Sequence, residues 1–362
     1  MSAALAVHQF VPSLAVHDAI GQHTFALQGY LRRIGIESEI YADEMKPGTE
    51  NRCRHYSEFK ADPLASTTLI YQASTASPIA GFLTARREPK LVNFHNVTPS
   101  EMAIAWDFGV GIAMAMAEHQ IGKLSNQCEL AFTVSEFNRE SLKRLGYTKT
   151  AVASPFIELR PPVLVDRRIC ESGARWLFVG RIFPNKAQLE LVAALAVYRQ
   201  LYDPAATLTL VGSRAIERYA VAVERYAEEL GLADAVILQG QVSDAELGAL
   251  YGSADVFVSA SRHEGFCFPL IEAMRSALPI VAFASSAIPE TLGRAGVLVS
   301  SADPVEFAAA VRLALTDRDV RAEIRGGADE QLDKFSTQVA EREHHRALAS
   351  VIENFPPYQG GR

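Results

Sequence analysis

The stretch Ser261–Met274 reads SRHEGFCFPLIEAM and places two glutamates eight positions apart in a mostly apolar run. Gly265 and Pro269 lie between the two acids and argue against one unbroken helix. We therefore predict a loop followed by a helix that Pro269 opens, since proline fits the first helical turn. Glu264 then lies on the loop and Glu272 in the first turn, where free N–H groups attract anions. Because carboxylates accept hydrogen bonds from hydroxyls, the pair suggests a site for hydroxyls beside an anion.

The length of 362 residues suits two domains of about 150 to 180 residues each. Hydrophobic residues make up 49% and charged residues 21%, as in globular proteins, and the formal net charge of −7 argues against nucleic acid as a partner. No export signal and no run of about 18 apolar residues is visible, so we expect a cytoplasmic protein without a membrane span. Four scattered cysteines fit reduced thiols there: Cys53, Cys128, Cys170 and Cys267.

Short β-rich runs alternate with helical patterns along the chain, which predicts an α/β protein with parallel sheets covered by helices. Prolines 155, 161 and 162 interrupt the alternation and indicate a linker. Two doubly wound domains follow, residues 1–158 and 159–340, with ligands expected at the carboxyl ends of the strands. The predicted strands cover residues 4–10, 38–42, 67–72, 90–96, 130–136, 176–181, 206–213, 235–242, 254–261 and 278–285.

Cations follow the first strand of the second domain. The segment WLFVGRIFPNK ends its strand at Gly180 and Arg181 and then offers Lys186 just before an amphipathic helix. A glycine turn, two cations and a helix N-terminus form a plausible diphosphate clamp, because arginine binds bidentately and lysine adds a point charge. The alternative is a pair of surface cations beside a turn. Both cations fall at the same predicted sheet edge as Glu264 and Glu272.

Several of these segments together resemble one protein family. FVGRIFPNK, LVGS, LQGQVSDAELGALYGSADVFVSASRHEGFCFPLIEAM and PIVAF with IPET are similar to the second domain of family 4 retaining glycosyltransferases. The E-x7-E pair within S-x-x-E-G-F-x-x-P-x-x-E-A-M carries the resemblance, which covers most of residues 174–345 strongly and the first domain more loosely. It implies the GT-B fold, two Rossmann-like domains facing across a cleft, with the C-terminal helix, residues 341–362, crossing back to the first domain. We expect Val351, Ile352 and Phe355 to contact that domain.

The resemblance also implies roles for individual residues. Arg181 and Lys186 would bind the diphosphate of a nucleotide-sugar donor, Glu264 the sugar hydroxyls and Glu272 the ribose hydroxyls. Backbone N–H groups of the glutamate loop would contact sugar and phosphate, and the end of the third strand would border the base. The implied donor-binding set is Arg181, Lys186, Gly240, Gln241, Val242, Glu264, Gly265, Phe266, Cys267, Phe268 and Glu272.

The first domain offers four candidates. His95 and Asn96 end a predicted strand, and in similar enzymes a histidine here contacts the donor sugar, although a lone histidine at a strand end can also be structural. Gly21 lies in the turn after the first strand, where relatives often carry two glycines and backbone N–H groups face a phosphate or the acceptor. Ser135 begins a helix and suits either a cap or a site. The implied catalytic set is Glu264, His95, Arg181 and Lys186.

Other features receive a structural interpretation. Asp317 and Asp319 have the D-x-D spacing of a metal site, but they precede a charged helix and suit a helix start. His344 and His345 are adjacent and cannot form an i, i+4 metal pair. We therefore expect no metal. Residues 105–122, AWDFGVGIAMAMAEHQIG, suit core packing, a flap over an acceptor or a surface that leans on a membrane.

The implied reaction is metal-free transfer of a hexosyl group, with retention, from a nucleoside diphosphate sugar of the GDP-mannose or UDP-glucose type. The acceptor would be a hydroxyl of a glycan, a lipid-linked molecule or a small molecule, in glycan or surface polysaccharide biosynthesis. The nucleotide sugar is a co-substrate, and no other cofactor is expected. Peripheral association with the inner face of the membrane and the oligomeric state stay open. Alternatives are a GT-B phosphorylase, hydrolase or epimerase, or a non-catalytic sugar-nucleotide sensor.

Overall fold

The computed structural model describes residues 4–16, 18–157 and 173–358. The chain divides into two compact units: unit 1 comprises Met1–Ser100, Ile112–Glu158 and Phe335–Arg362, and unit 2 comprises Glu101–Gly111 and Leu159–Lys334. This division differs from the predicted boundaries in grouping residues 101–111 with unit 2 and residues 335–340 with unit 1. Pro161 and Pro162 of the predicted linker, and Cys170, lie outside the described residues.

Strands and helices alternate through both units. The strands are β1 (Ala4–Leu14), β2 (Ile40–Met45), β3 (Arg54–His55), β4 (Ala65–Ala73), β5 (Lys90–Phe94), β6 (Cys128–Thr133), β7 (Thr150–Val152), β8 (Arg175–Val179), β9 (Thr207–Val211), β10 (Val236–Gly240), β11 (Val256–Ser259), β12 (Ile280–Phe283) and β13 (Val297–Val299). The helices are α1 (Ala19–Arg33), α2 (Pro78–Thr84), α3 (Phe108–Lys123), α4 (Glu136–Arg144), α5 (Gln188–Leu201), α6 (Glu217–Glu229), α7 (Asp244–Ser253), α8 (Phe268–Arg275), α9 (Ile288–Leu292), α10 (Pro304–Thr316), α11 (Arg318–Lys334) and α12 (Thr337–Ala349).

Unit 1 is built on a seven-stranded sheet in the order β3-β2-β1-β4-β5-β6-β7. The pairings are parallel, and β1 sits between β2 and β4, with Gln9 opposite both Ile40 and Ile70. Residues 6–12 of β1 are all buried, as expected for a central parallel strand that is covered on both faces. The strand order reverses direction between β1 and β4, so the carboxyl ends of these strands form the topological switch point of unit 1.

Unit 2 is built on a six-stranded parallel sheet in the order β10-β9-β8-β11-β12-β13. This is the Rossmann order, with the first strand of the unit next to the fourth and the switch point between β8 and β11. Val256 pairs with Trp176 and Phe257 with Leu177 across that junction. The predicted α/β class with two doubly wound sheets is confirmed.

All ten predicted strands are present, with ends that shift by a few residues. The sequence did not reveal β3, β7 and β13, each of which has only two or three residues and lies at or next to a sheet edge. Such short strands carry too few residues to show an alternating pattern. Within the described ranges, no helix has both the length and the apolar character needed to cross a membrane.

The C-terminal helix α12 packs on the sheet of unit 1. Ala340, Leu348 and Ile352 share a buried cluster with Val7 and Leu27, and Val351 and Phe355 pack against its margin. The predicted contacts of residues 351, 352 and 355 are therefore observed. A break separates this helix from the preceding one, because α11 ends at Lys334 and Ser336 precedes α12.

Polar contacts add to this packing. The Ser154 N–H donates to Glu343 Oε2 at 2.7 Å, and Tyr30 Oη lies 2.7 Å from His345 Nδ1. Burial of Leu348 and Ile352 contributes about 1.5 to 3 kcal/mol each, as an upper estimate. The C-terminal segment is thus an integral part of the core of unit 1.

His344 of α12 is buried inside unit 1 and hydrogen-bonds to the Ala340 carbonyl at 2.9 Å. Burial lowers the pKa of His344 to about 4. In the unfolded chain its pKa is about 6.5. Between about pH 6.5 and pH 4 the unfolded state therefore binds a proton at His344 and the folded state does not. Stability should therefore decrease as the pH is lowered. The shifted pKa of His344 alone should reduce the free energy of unfolding by about 2 kcal/mol between pH 7 and pH 5.

Urea unfolding at pH 7, 6 and 5 measures this effect. The variant His344→Gln should lose that part of the pH dependence, whereas His119→Gln, at an exposed position, should keep the dependence of the parent protein. An unchanged pH dependence in His344→Gln would show that His344 is not held neutral.

Candidate functional site

Two of the predicted site residues meet at the switch point of unit 2. Lys186 follows β8 in a short 3-10 turn, and Glu264 lies on the loop between β11 and α8. Lys186 Nζ lies 2.5 Å from Glu264 Oε1, and the two side chains are only 16% and 11% exposed. The two charges therefore neutralise each other in a mostly buried position.

Asn185 joins the two loops that carry this ion pair. Its side-chain N–H donates to the His263 carbonyl at 2.7 Å, and its own carbonyl accepts the Arg262 N–H at 2.7 Å. The residue is 3% exposed. The sequence analysis missed Asn185 as a functional residue, although it stands directly before Lys186. Its position beside a predicted cation was the available signal.

Arg181 follows the same strand but is exposed. Its guanidinium carbon lies 5.3 Å from the centroid of the Phe183 ring, and Gln188 donates to the Arg181 carbonyl at 2.9 Å. The backbone here approaches the end of β9 closely, since a Cβ on Gly212 would lie 2.2 Å from the carbonyl oxygen of Gly180. Glycine at 212 thus permits the close approach that shapes the Arg181 loop.

The glutamate loop is held from its other side by the segment after β12. The Glu264 N–H donates to Ser286 Oγ at 2.8 Å, and the Ala287 N–H donates to the Glu264 carbonyl at 3.3 Å. Cys267 caps α8 with a left-handed φ of 73°. Burial raises the pKa of its thiol well above the usual range, and the Glu264 charge adds to the effect. Cys267 therefore stays a neutral thiol and acts through its backbone.

Glu272 lies deeper in α8 than the sequence suggested. The helix begins at Phe268 with Pro269 as its second residue, so Glu272 is the fifth residue and lies in the second turn. The predicted first-turn position was wrong, because the helix already includes Phe268 and the first turn ends at Ile271. Tyr251 of α7 donates its hydroxyl to Glu272 Oε2 at 2.9 Å and orients the carboxylate. Nothing in the residue spacing pointed to Tyr251.

The predicted base-bordering stretch lies at the same sheet edge. Gly240 ends β10 with a φ of 74°, and its carbonyl accepts the Gly212 N–H at 2.8 Å. Gln241 is exposed and Val242 partly buried, and both precede α7, which Ser243 opens with a capping box. The carboxyl ends of β8, β9 and β10 are therefore tied together next to the ion pair.

In unit 1, His95 follows β5 and is held by its neighbour strand. His95 Nε2 lies 2.6 Å from Gln72 Oε1, and the His95 N–H donates to the Ala73 carbonyl at 2.9 Å. Burial and, to a smaller extent, the nearby His344 ring lower the pKa of His95 to about 3. The imidazole is thus neutral at any working pH above about 4 and offers one donor and one acceptor.

A row of buried amides extends from His95 towards α1. Gln72 Nε2 donates to Gln9 Oε1 at 2.7 Å, Gln9 Nε2 donates to the Thr24 carbonyl at 3.0 Å, and Asn93 Nδ2 donates to Gln72 Oε1 at 2.9 Å. We call Gln9, Gln72 and Asn93 the amide chain; each is at most 1% exposed. None of the three was singled out from the sequence, because polar residues inside a strand show no recognisable spacing.

The other candidates of unit 1 are engaged in local structure. Gly21 is buried and its N–H donates to Asp18 Oδ1 at 2.5 Å, so a carboxylate already occupies the N-terminus of α1. This arrangement disfavours a phosphate at Gly21. Ser135 has no exposed surface and accepts the Asn138 N–H at 3.2 Å as the cap of α4. Asn96 is partly buried and takes a left-handed φ of 80° beside His95.

The D-x-D pair is a helix start, as predicted. Asp317 Oδ1 accepts the N–H groups of Asp319 at 2.9 Å and Val320 at 3.0 Å at the beginning of α11. His344 and His345 make separate contacts, the first with the Ala340 carbonyl and the second with the Tyr30 hydroxyl.

Comparison with known proteins agrees with this geometry. A solved glycosyltransferase structure from Rickettsia africae matches 97% of this chain and 99% of its own chain, with a TM-score of 0.72 and 16% sequence identity. This structural similarity, together with the two parallel Rossmann-like sheets, identifies the GT-B fold. The sequence model of the family described as glycosyl transferases group 1 matches residues 173–317. That segment is thus similar to glycosyl transferases group 1, in agreement with the resemblance to glycosyltransferases that the E-x7-E segment indicated.

Two curated relatives are mannosyltransferases. The MMP alpha-(1->4)-mannosyltransferase of Mycolicibacterium hassiacum is 40% identical over 119 residues, 32% of this chain and 29% of that protein. The O-antigen chain mannosyltransferase B of Escherichia coli is 30% identical over 235 residues, 60% of each protein. The chain therefore spans less than two thirds of the length of either relative.

Asn185 provides a test of how the two loops are coupled. In Asn185→Ala the His263 carbonyl loses a buried donor, which should lower the free energy of unfolding by about 1 to 3 kcal/mol. Amide hydrogen exchange in peptides covering residues 259–268 should become faster. Asn126→Ala, at an exposed asparagine, is the control and should change neither quantity. Unchanged exchange in Asn185→Ala would show that the glutamate loop holds its position without this contact.

Proposed function

We propose that this protein is a retaining glycosyltransferase that moves a hexosyl group from a nucleoside diphosphate sugar to a hydroxyl acceptor. The observation that carries the proposal is the Lys186–Glu264 pair at the switch point of a Rossmann sheet. Arg181 lies on the loop that carries Lys186, and Glu272 lies in the helix that follows the Glu264 loop. A cation suited to a diphosphate and a carboxylate suited to hydroxyls are in contact there. The family match of the surrounding segment supports the same conclusion.

Each group has a task in this reaction. Arg181 and Lys186 stabilise the negative charge that grows on the departing diphosphate, which is the largest electrostatic requirement of the step. Glu264 accepts hydrogen bonds from the sugar, and the backbone of residues 265–268 adds N–H groups at the start of α8. Glu272, oriented by Tyr251, holds the ribose. Gly240, Gln241 and Val242 border the base.

We propose a same-face displacement, the route that the resemblance to retaining glycosyltransferases implies. The bond between the sugar C1 and the diphosphate oxygen breaks, and the acceptor oxygen forms its bond to C1 on the same face. The acceptor proton passes to an oxygen of the leaving phosphate. His95 is neutral and contacts a donor-sugar hydroxyl without taking the proton itself. Since side-chain cations neutralise the diphosphate, we propose that no metal is required.

The relatives support a mannosyl donor, because both curated proteins are mannosyltransferases. GDP-mannose is therefore the first donor to test and UDP-glucose the second. The acceptor would be a glycan, a lipid-linked molecule or a small molecule, in glycan or surface polysaccharide biosynthesis in the cytoplasm or at the inner face of the membrane. Asp18 at the N-terminus of α1 favours an acceptor that presents hydroxyls there over one that presents a phosphate.

The first experiment is a donor panel. The protein is incubated with GDP-mannose, UDP-glucose and other sugar nucleotides, and release of nucleoside diphosphate is followed with and without acceptors. We expect slow release from one donor alone, acceleration by an acceptor, and unchanged rates in excess EDTA. Sugar phosphate or an isomerised sugar as the product would favour a phosphorylase or an epimerase. Tight binding without turnover of any donor would favour a sensor.

The two glutamates should differ in their kinetic effects. Glu264→Gln should lower kcat by about 10- to 100-fold, because its contact strengthens as charge develops on the sugar. Glu272→Gln should instead raise the KM for the donor about tenfold with a small change in kcat, because a remote contact acts equally on the ground and transition states. Glu229→Gln, an exposed acid of the same unit, serves as control. Small and equal effects of both substitutions in folded protein would count against the site.

A further inference from the structure

We infer that Gln72 is a positioning residue that fixes the tautomer of His95, so that Nε2 carries the proton and Nδ1 is left to accept a hydrogen bond from a sugar hydroxyl. This inference rests on the proposed function for the identity of the ligand. The tautomer itself follows from the hydrogen-bond geometry of unit 1, independently of any ligand.

The direction of each bond in the amide chain is set from one end. A backbone carbonyl can only accept, so the Thr24 carbonyl requires the Nε2 group of Gln9 at 3.0 Å. Gln9 then presents Oε1 to Gln72, which must donate through its own Nε2 at 2.7 Å. The remaining oxygen of Gln72 faces His95 at 2.6 Å and can only accept, so His95 Nε2 must be the protonated nitrogen.

A second contact reinforces this orientation. Asn93 Nδ2 lies 2.9 Å from the same Gln72 oxygen, so that oxygen accepts from two sides and the amide cannot reverse without losing both bonds. Gln72 has no exposed surface, and water therefore cannot replace either partner. A reversed Gln72 would place its own N–H group against the N–H group of Asn93 and its oxygen against the oxygen of Gln9, which is costly in a buried position.

One contact further along the chain cannot be satisfied together with its neighbour. His23 Nε2 lies 2.8 Å from Asn93 Nδ2, and His23 Nδ1 lies 3.2 Å from the Phe156 N–H. A neutral imidazole has one acceptor, so only one of these contacts is a hydrogen bond. The unsatisfied contact is therefore one of the two made by His23. His23 does not contact Gln72, so the direction of the bond between Gln72 and His95 is unchanged.

The free nitrogen of His95 is available to a ligand. Within residues 4–16, 18–157 and 173–358, His95 Nδ1 has no hydrogen-bond partner, and the residue is only partly buried. Because the buried Gln72 oxygen keeps the proton on Nε2, Nδ1 of the neutral ring can only accept a hydrogen bond. His95 therefore selects a ligand group that donates, and a sugar hydroxyl fits this requirement.

The direct test is 15N–1H NMR of the histidine side chains in the ligand-free protein, with His95 assigned by comparison with His95→Ala. We expect a proton on Nε2 and a bare Nδ1 in the parent protein. In Gln72→Leu the two neutral tautomers should both become populated. A proton on Nδ1 in the parent protein would overturn the inference, and this measurement does not depend on enzymatic activity.

Kinetics with the preferred donor provide the second test. Gln72→Leu should lower kcat by about 10- to 100-fold, as loss of an orienting partner does at other sites. The matched control is Gln28→Leu, which removes another buried glutamine of unit 1 that bonds to the Ser38 carbonyl outside the amide chain, and it should change kcat less than about threefold. In a His95→Ala background, Gln72→Leu should have no further effect. Equal losses in the two leucine variants, or an additive loss with His95→Ala, would show a structural role only.

The two hypotheses can fail separately. If no donor is turned over but NMR shows the proton on Nε2, the proposed function is wrong and the tautomer assignment stands. If transfer is observed and the proton lies on Nδ1, the glycosyltransferase proposal stands and the role of Gln72 is refuted.

Discussion

Parallel pairing of β8 with β11 is the constraint on which the candidate site of unit 2 depends. Parallel strands end at the same edge of a sheet, and at a switch point the loops that follow them depart to opposite sides and leave a crevice. Lys186 and Glu264 are 78 positions apart in sequence and meet only because their strands are neighbours there. Asn185 then fixes the two loops to each other through backbone atoms. The ion pair is a consequence of this topology, and a shift of either strand would separate its members.

The parts of the structure that repeat along the chain could be predicted, and the parts that depend on single partners could not. Strands longer than three residues leave an apolar pattern, and the E-x7-E segment identified the unit 2 site. The position of Glu272 in α8 was misjudged by one residue, which moves it from the first turn to the second, because proline is accepted at the first or the second helical position. Asn185, Tyr251 and Gln72 each make one to three side-chain hydrogen bonds to residues distant in sequence, and neither composition nor periodicity encodes such contacts.

Unit 1 buries several polar side chains in its central strands. Gln9, Gln72 and Asn93 lie in central strands where apolar residues would pack at lower cost. The hydrogen bonds among them compensate for part of their lost hydration, although Asn93 Oδ1 is buried without a partner among the described residues. His344 enters the same region from the C-terminal helix, where its ring lies 5.2 Å from that of His23. Burial of these rings costs stability at acid pH. The gain is a set of neutral groups whose orientation is fixed by the fold.

This contrast between the units fits the charge distribution of the proposed reaction. As the glycosidic bond stretches, negative charge develops on the phosphate and positive charge on the sugar ring. Unit 2 supplies fixed cations, Arg181 and Lys186, which suit the phosphate. A protonated histidine beside the sugar ring would repel the developing positive charge, so the low pKa of His95 removes an unfavourable interaction. Neutral His95 can still align a hydroxyl through Nδ1, which makes the buried environment that suppresses its charge part of the proposed catalytic design.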